Sequence, residues 1–474
     1  MFFNSIEYAI FLPIVLLIYY SLNRRAQNIF LIFASYFFYG WWNPKFLTLI
    51  FISTLLDYFS GLLIYNSTNL KKKKLYLCIT LVGNLTILGI FKYYNFFTSS
   101  LVDLFNIFGI HLSIPTLKVI LPAGISFYTF QSMSYTIDVY FKKIKPTRDF
   151  LDFMLYVCYF PQLVAGPIER AGHLIPQFES ERKVDFDAIV TGLYLIIFGL
   201  FKKIVIADNL AVIADKVFND PVSQSSGKLL AGVYAFAIQV YCDFSGYSDI
   251  ARGSSRLFGI DIMENFKTPF FAKNITEFWQ RWHISLTTWL MDYIYLPLVW
   301  KSRIKTGKLK IYQGLIITFL LAGLWHGANW TFVVFGCLNG IYLVIHKFII
   351  TKHPTTQPVN PSSVSTNIIK VLKIFFTFNL FAITAIFFRA KNLPKALCYF
   401  ENLLSFKGSL WIGFDVAFII FIIYLIDFPQ WLKSDQLAII KLNKSFALIF
   451  SLLLLLSIYF LGITHYVPFI YFFF

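Results

Sequence analysis

The sequence predicts an all-helical, polytopic membrane protein, and three observations predict it. Hydrophobic residues make up 58% of the chain and charged residues only 14%, where soluble domains carry roughly a quarter of charged residues. The mean hydropathy is +0.66. Apolar runs close to the ~20 residues needed to cross a bilayer recur from one end to the other. No polar block large enough to fold by itself interrupts the 474 residues, so the expectation is a single membrane domain over residues 1–474.

Taken in order, the apolar runs are Ile6–Leu22, Gln27–Trp41, Phe46–Tyr65, Leu75–Phe97, Leu117–Phe141, Ile189–Ile206, Leu229–Tyr247, Trp330–Ile350, Ile368–Phe388, Trp411–Ile426 and Phe446–Ile463. The first lacks the basic lead and cleavage site of a signal peptide and is expected to remain as a span. Phe150–Pro167 is broken by Pro161 and Gly166, and Thr287–Trp300 ends at Pro297. With these the count is roughly eleven to thirteen segments. The broken ones are expected to be re-entrant or half-helices lining a cavity, where irregular backbone is tolerated at membrane depth. The polar, proline-containing stretch 351–367 reads as a loop between spans.

The formal net charge of +17 does not imply a nucleic-acid partner. The basic residues gather in short connections, at Arg24–Arg25, Lys71–Lys74, Lys142–Arg148, Lys202–Lys203 and Lys301–Lys310. By the positive-inside tendency these mark the cytoplasmic side and place the N-terminus outside. A basic cytoplasmic mouth also suits an anionic donor such as a nucleotide-bearing thioester. The five cysteines stand singly in or beside apolar runs, without metal-site spacing.

Of the seven histidines, His111, His173, His346, His353 and His465 fall in connections or at segment ends, where an interfacial imidazole is ordinary. His283 and His326 lie within aromatic apolar surroundings, EFWQRWHISLTTWLMDYIYLP and AGLWHGANW, where a titratable side chain is costly and points to function. Gly323, Gly327 and Ala328 remove bulk around His326, so that a backbone or a substrate can approach. Trp325 and Trp330 wall the cleft, and Asn329 is expected on the same helical face as His326. Proton transfer and the gluing of packed helices both remain open for these histidines. Neither fits a zinc site, since HExxH and a third ligand are missing, and GxSxG is absent as well.

Six blocks, LPAGISFYTFQSMSYTIDVY (121–140), FPQLVAGPIER (160–170), GLFKKIVIADNLA (199–211), YCDFSGYSDIARG (241–253), TEFWQRWHISLTTWL (276–290) and GLWHGANWTF (323–332), resemble the membrane-bound O-acyltransferase superfamily. More narrowly, they are similar to its bacterial alginate and peptidoglycan O-acetyltransferase branch. The resemblance runs over nearly the whole chain in the family's order. It implies a ring-like helical bundle with re-entrant segments enclosing a transmembrane tunnel. It also implies His326 as the near-invariant catalytic histidine, His283 as the second motif histidine, and Trp325, Asn329, Trp282 and Gln162 as candidate substrate contacts. Two departures, Met291 in place of the branch's arginine and a missing glycine pair in 298–303, bear on local loop shape.

The terminal VPFIYFFF (467–474) reads as an aromatic interface anchor, yet it also resembles the tail of this branch and makes Tyr471 a candidate acyl acceptor. What the resemblance implies is therefore a multi-pass protein of the bacterial inner membrane with no bound cofactor. It takes acetyl from acetyl-CoA and passes it, through a periplasmic SGNH-type partner, to a polysaccharide such as an alginate-like exopolymer or peptidoglycan. A non-enzymatic transporter or scaffold of a polysaccharide export complex is the competing class. Repeated halves or an acidic pair would favour it, and the sequence displays neither.

Overall fold

The computed structural model describes residues 1–164, 166–300, 307–352, 364–463 and 467–472. The described residues are helical or irregular, with no strand among them. Eight helices are long and apolar enough to cross a membrane, and three shorter apolar helices, Ile6–Tyr20, Ile284–Val299 and Ser445–Leu461, accompany them. The all-helical, polytopic reading therefore holds. The chain divides into two compact units, one of Met1–Ile196 with Tyr247–Met263 and one of Ile197–Gly246 with Glu264–Phe474.

In the first unit the helix starts follow local chemistry. Ser5, Asn23, Asn69 and Asp149 each accept a backbone N–H of the first turn behind them, the ordinary N-cap interaction. Arg24–Arg25 and Lys71–Lys74, read above as connections, in fact open the helices Arg24–Gly40 and Leu70–Leu88. The span expected from Leu117 becomes helical only at Ile125. Pro115 and Pro122 cannot continue a helix, and Gly124 sits at φ 73° with a Cβ position 2.4 Å from the Leu163 carbonyl oxygen. Phe150–Pro167 is broken as expected, into Phe150–Cys158 and the single turn Phe160–Leu163.

A buried polar network ties three helices of this unit together. Asn84 donates its amide to both oxygens of Asp57 at 3.0 Å, and Thr80 donates its hydroxyl to the same carboxylate. Ser53 donates to the Asn84 carbonyl at 2.7 Å and lies 3.3 Å from the Ser132 hydroxyl. Polar side chains used in this way hold apolar helices in register.

The second unit holds Asp208–Asn219, the helix Ser226–Leu257 up to Gly246, and the helices from Ile275 onward. Between Phe201 and Ala207 the helical path widens into a π turn, a form common at functional positions. Lys202 and Lys203, expected in a basic connection, lie inside this turn and are almost fully buried. The reason is pairing across helices. The Lys203 ammonium sits 2.7 Å from Asp208 and 2.8 Å from Asp243, and Lys202 covers the Phe198 ring at 4.6 Å.

Pro297 does not end its segment. The helix that opens at Ile284 runs through a π turn, Met291–Tyr295, and on into Leu296–Trp300, so the proline, which has no N–H to give, follows directly on a stretch where the regular ladder is already interrupted. The polar stretch expected over 351–367 is shorter than read. Trp330–Lys352 and Val364–Arg389 take its ends into helix, and residues 353–363 lie outside the described residues.

Candidate active site

Two helix boundaries in the second unit create the site. The helix Ile275–Arg281 is capped by Asn274 and carries the Glu277–Arg281 ion pair at 2.9 Å. The chain then reverses at His283, whose backbone adopts φ 44° and ψ 55°. A non-glycine residue there is strained, and such strain collects at functional positions. Asn265 holds the turn. Its carbonyl accepts the Ile284 N–H at 3.0 Å, and its side chain accepts that of Ser285 at 3.2 Å.

The second boundary is at His326, where the helix Gly307–His326 stops. The expected approach to Gly323 is by protein backbone, since a Cβ at Gly323 would lie 2.2 Å from the Phe332 carbonyl oxygen, and one at Gly327 the same distance from the Phe332 ring. These glycines let the helix Trp330–Lys352 fold back closely. Because the helix ends at His326, Asn329 does not share its helical face. Its side-chain oxygen accepts the Thr331 N–H at 3.1 Å and its side-chain amide donates to the Lys391 backbone carbonyl at 2.9 Å. Asn329 therefore caps the following helix and orders the turn.

The two histidines and the tail tyrosine come together. The His283 and His326 ring centroids are 6.3 Å apart, and Tyr471 lies 5.7 Å from His326 and 6.3 Å from His283. Trp325 bridges all three, at 5.1 Å from His326, 5.4 Å from His283 and 6.2 Å from Tyr471. Phe388 meets His326 edge-on at 5.2 Å. Trp282 stacks on Phe278 at 5.5 Å and stands against Phe266 at 5.1 Å. Gln162 belongs to the first unit, where its amide donates to the Tyr156 carbonyl at 2.7 Å.

His326 borders two cavities. One, of about 280 Å³, is lined by Trp282, Phe381, Phe388 and Tyr471 among others. The other, of about 460 Å³, is lined by His283, Leu286, Leu290, Leu315 and Ala322 among others. Burial, reinforced by the neighbouring His326, holds the His283 imidazole well below its ordinary proton affinity. Burial likewise pushes the Tyr471 phenol up, with the Asp243 carboxylate adding to it.

Four contributors escaped the sequence reading: Asn265, Lys203, Asp243 and Phe244. Phe244 packs 4.6 Å from both His283 and Tyr471, and Asp243 accepts the Ile470 N–H at 2.7 Å. The motifs GLFKK and YCDFSGYSD contain Lys203, Asp243 and Phe244, so the signal was present as polar residues inside apolar runs.

Fold and site together define a multi-pass membrane enzyme with a pair of buried histidines, one of which, His326, borders two cavities. The profile of the membrane-bound O-acyltransferase family matches residues 29–388, and the chain belongs to that family of O-acyltransferases. It is 40% identical to the probable alginate O-acetylase AlgI of Pseudomonas putida, across 85% of this chain and 80% of that protein. It is 37% identical to the peptidoglycan O-acetyltransferase of Helicobacter pylori, across 84% and 78% respectively. A more distant likeness, 29% over 48% of this chain and 58% of the relative, is to the teichoic acid D-alanyltransferase of Bacillus subtilis.

Proposed function

We propose that this chain is the membrane O-acetyltransferase subunit that moves acetyl from cytoplasmic acetyl-CoA across the inner membrane of a bacterium, for O-acetylation of an extracytoplasmic polysaccharide. The observation that carries the reading is the convergence of His283, His326 and Tyr471 at one buried point beside two cavities. The names of the alginate and peptidoglycan relatives favour acetyl as the group and a polysaccharide as the final acceptor.

In this mechanism the thioester enters the cavity bordered by His283 and His326. The Tyr471 hydroxyl attacks the thioester carbonyl while His326 takes its proton. Collapse of the tetrahedral intermediate breaks the carbon–sulfur bond, and the departing thiolate takes the proton from His326 to leave as the coenzyme A thiol. His283 orients the attacking hydroxyl or stabilises the oxyanion. The product is an acetylated Tyr471, from which a serine hydroxyl of a periplasmic SGNH-type partner takes the acetyl group and restores the phenol. A protein route is physically required, because charged coenzyme A cannot cross an apolar layer whereas an acetyl ester carries no charge. The surrounding rings exclude water that would hydrolyse the ester.

The test is incubation of the purified protein, without partner, with radiolabelled acetyl-CoA. The wild-type C-terminal peptide is expected to carry label and that of Tyr471→Phe none, since the substitution removes the oxygen and keeps the ring. Full polymer acetylation by Tyr471→Phe in cells would make the tail an anchor and move the acceptor hydroxyl to a partner or the polymer.

A further inference from the structure

Two consecutive residues of the helix Ser226–Leu257 grip the C-terminal tail. Asp243 accepts the backbone N–H of Ile470 at 2.7 Å, and the Phe244 ring lies 4.6 Å from Tyr471 and 4.6 Å from His283. One turn of helix thus touches the tail backbone, the candidate acceptor side chain and one of the two histidines. Asp243 is itself held from behind. Its other oxygen lies 2.8 Å from the Lys203 ammonium, which also contacts Asp208 at 2.7 Å, and all three side chains are buried.

The glycines of the two motifs make this pairing possible. A Cβ at Gly246 would lie 2.7 Å from the Gly199 carbonyl oxygen and 3.2 Å from the Lys203 backbone nitrogen. The helix and the π turn Phe201–Ala207 therefore meet backbone to backbone, and Lys203 reaches Asp243. Lys203 takes one oxygen of Asp243, and the other, buried in an apolar interior, is met by the Ile470 N–H. Joining the helix to the π turn needs only the Lys203 side of Asp243. The oxygen turned to Ile470 has another use.

We propose that Asp243 is a positioning residue that clamps the Ile470 backbone and thereby sets the Tyr471 hydroxyl in register with His326 and His283; the role rests on the reading of Tyr471 as acetyl acceptor. Fixing one backbone nitrogen leaves the next Cα only ~3.8 Å from the held Cα, so the clamp constrains Tyr471 without touching its ring. A misplacement of about 1 Å at a reacting group costs on the order of 10²-fold in rate.

The test uses the full-length protein and two readouts: single-turnover transfer of labelled acetyl onto the C-terminal peptide, and amide exchange of that peptide. Asp243→Ala removes the acceptor. Ile470→Pro removes the donor and leaves the Lys203 cluster whole, and proline is tolerated at the first position of a helical turn. Both are expected to slow transfer on the order of 10²-fold, to leave KM for acetyl-CoA unchanged and to speed exchange. Asp243→Asn keeps a carbonyl oxygen and should recover most of the transfer, and Ile470→Val should match wild type.

Wild-type transfer by Ile470→Pro alongside an inactive Tyr471→Phe would overturn the positioning role and leave the relay standing. Slow transfer by Asp243→Ala with normal exchange and a normal Ile470→Pro would reduce Asp243 to a structural charge. Retained acetylation by Tyr471→Phe would remove the relay, and the positioning role with it.

Discussion

Asp57 in the first unit and Asp243 in the second are both nearly inaccessible carboxylates in an apolar protein, and their partners differ in kind. Asp57 is surrounded by neutral donors, the Asn84 amide and the Thr80 hydroxyl, which spend its capacity on helix packing. Asp243 is divided between a buried ammonium and the backbone of the tail. Around the second unit's histidines the close neighbours are aromatic rings, Trp325, Phe244, Phe335 and Phe388. Polar groups saturated by neutral neighbours make a rigid joint. The polar groups of the second unit instead border a cavity and are walled by apolar rings.

The largest expected effect tests that contrast at His326. His326→Gln should reduce acetyl transfer by about 10²–10⁴-fold, the usual loss of an acid–base group, with an unchanged thermal midpoint in detergent. Near-normal transfer at wild-type protein level would make His326 a packing residue of the Asp57 kind and dissolve the difference between the regions.

His283 offers a sharper version. Its backbone lies in the left-handed region, where glycine is unstrained. His283→Gly should therefore keep or raise the thermal midpoint while transfer falls by at least about tenfold, the lower end of what a lost orienting or oxyanion-stabilising group costs. A lowered midpoint with unchanged transfer per folded molecule would mark the imidazole as structural.

The smallest effect on chemistry is expected at Asp57. Asp57→Ala leaves Asn84 and Thr80 without their shared acceptor and should cost about 1–3 kcal/mol of stability, read as a lower midpoint, while transfer per folded molecule stays near wild type. A selective loss of transfer with an unchanged midpoint would give the first unit's network a part in the reaction.

Composition and the spacing of apolar runs by themselves determined that the chain is an all-helical membrane protein, because the need to satisfy backbone groups in lipid leaves few other solutions. His283 and His326 stood out singly, since a polar side chain inside an aromatic run is visible wherever the chain folds, whereas Tyr471 was singled out by the resemblance of the terminal run. Asn329 was misplaced because a helical periodicity carried past His326 cannot register that the helix stops there. The meeting of the two histidines with a tail more than a hundred residues further on was decided by tertiary packing. So were the pairing of Lys203 with Asp243 and the hydrogen bond from Ile470 to Asp243 across 227 residues. Hydropathy and periodicity are properties of neighbours along the chain, whereas a buried ion pair or a docked tail depends on which helix faces meet, and glycines such as Gly246 and Gly323 set how closely they do.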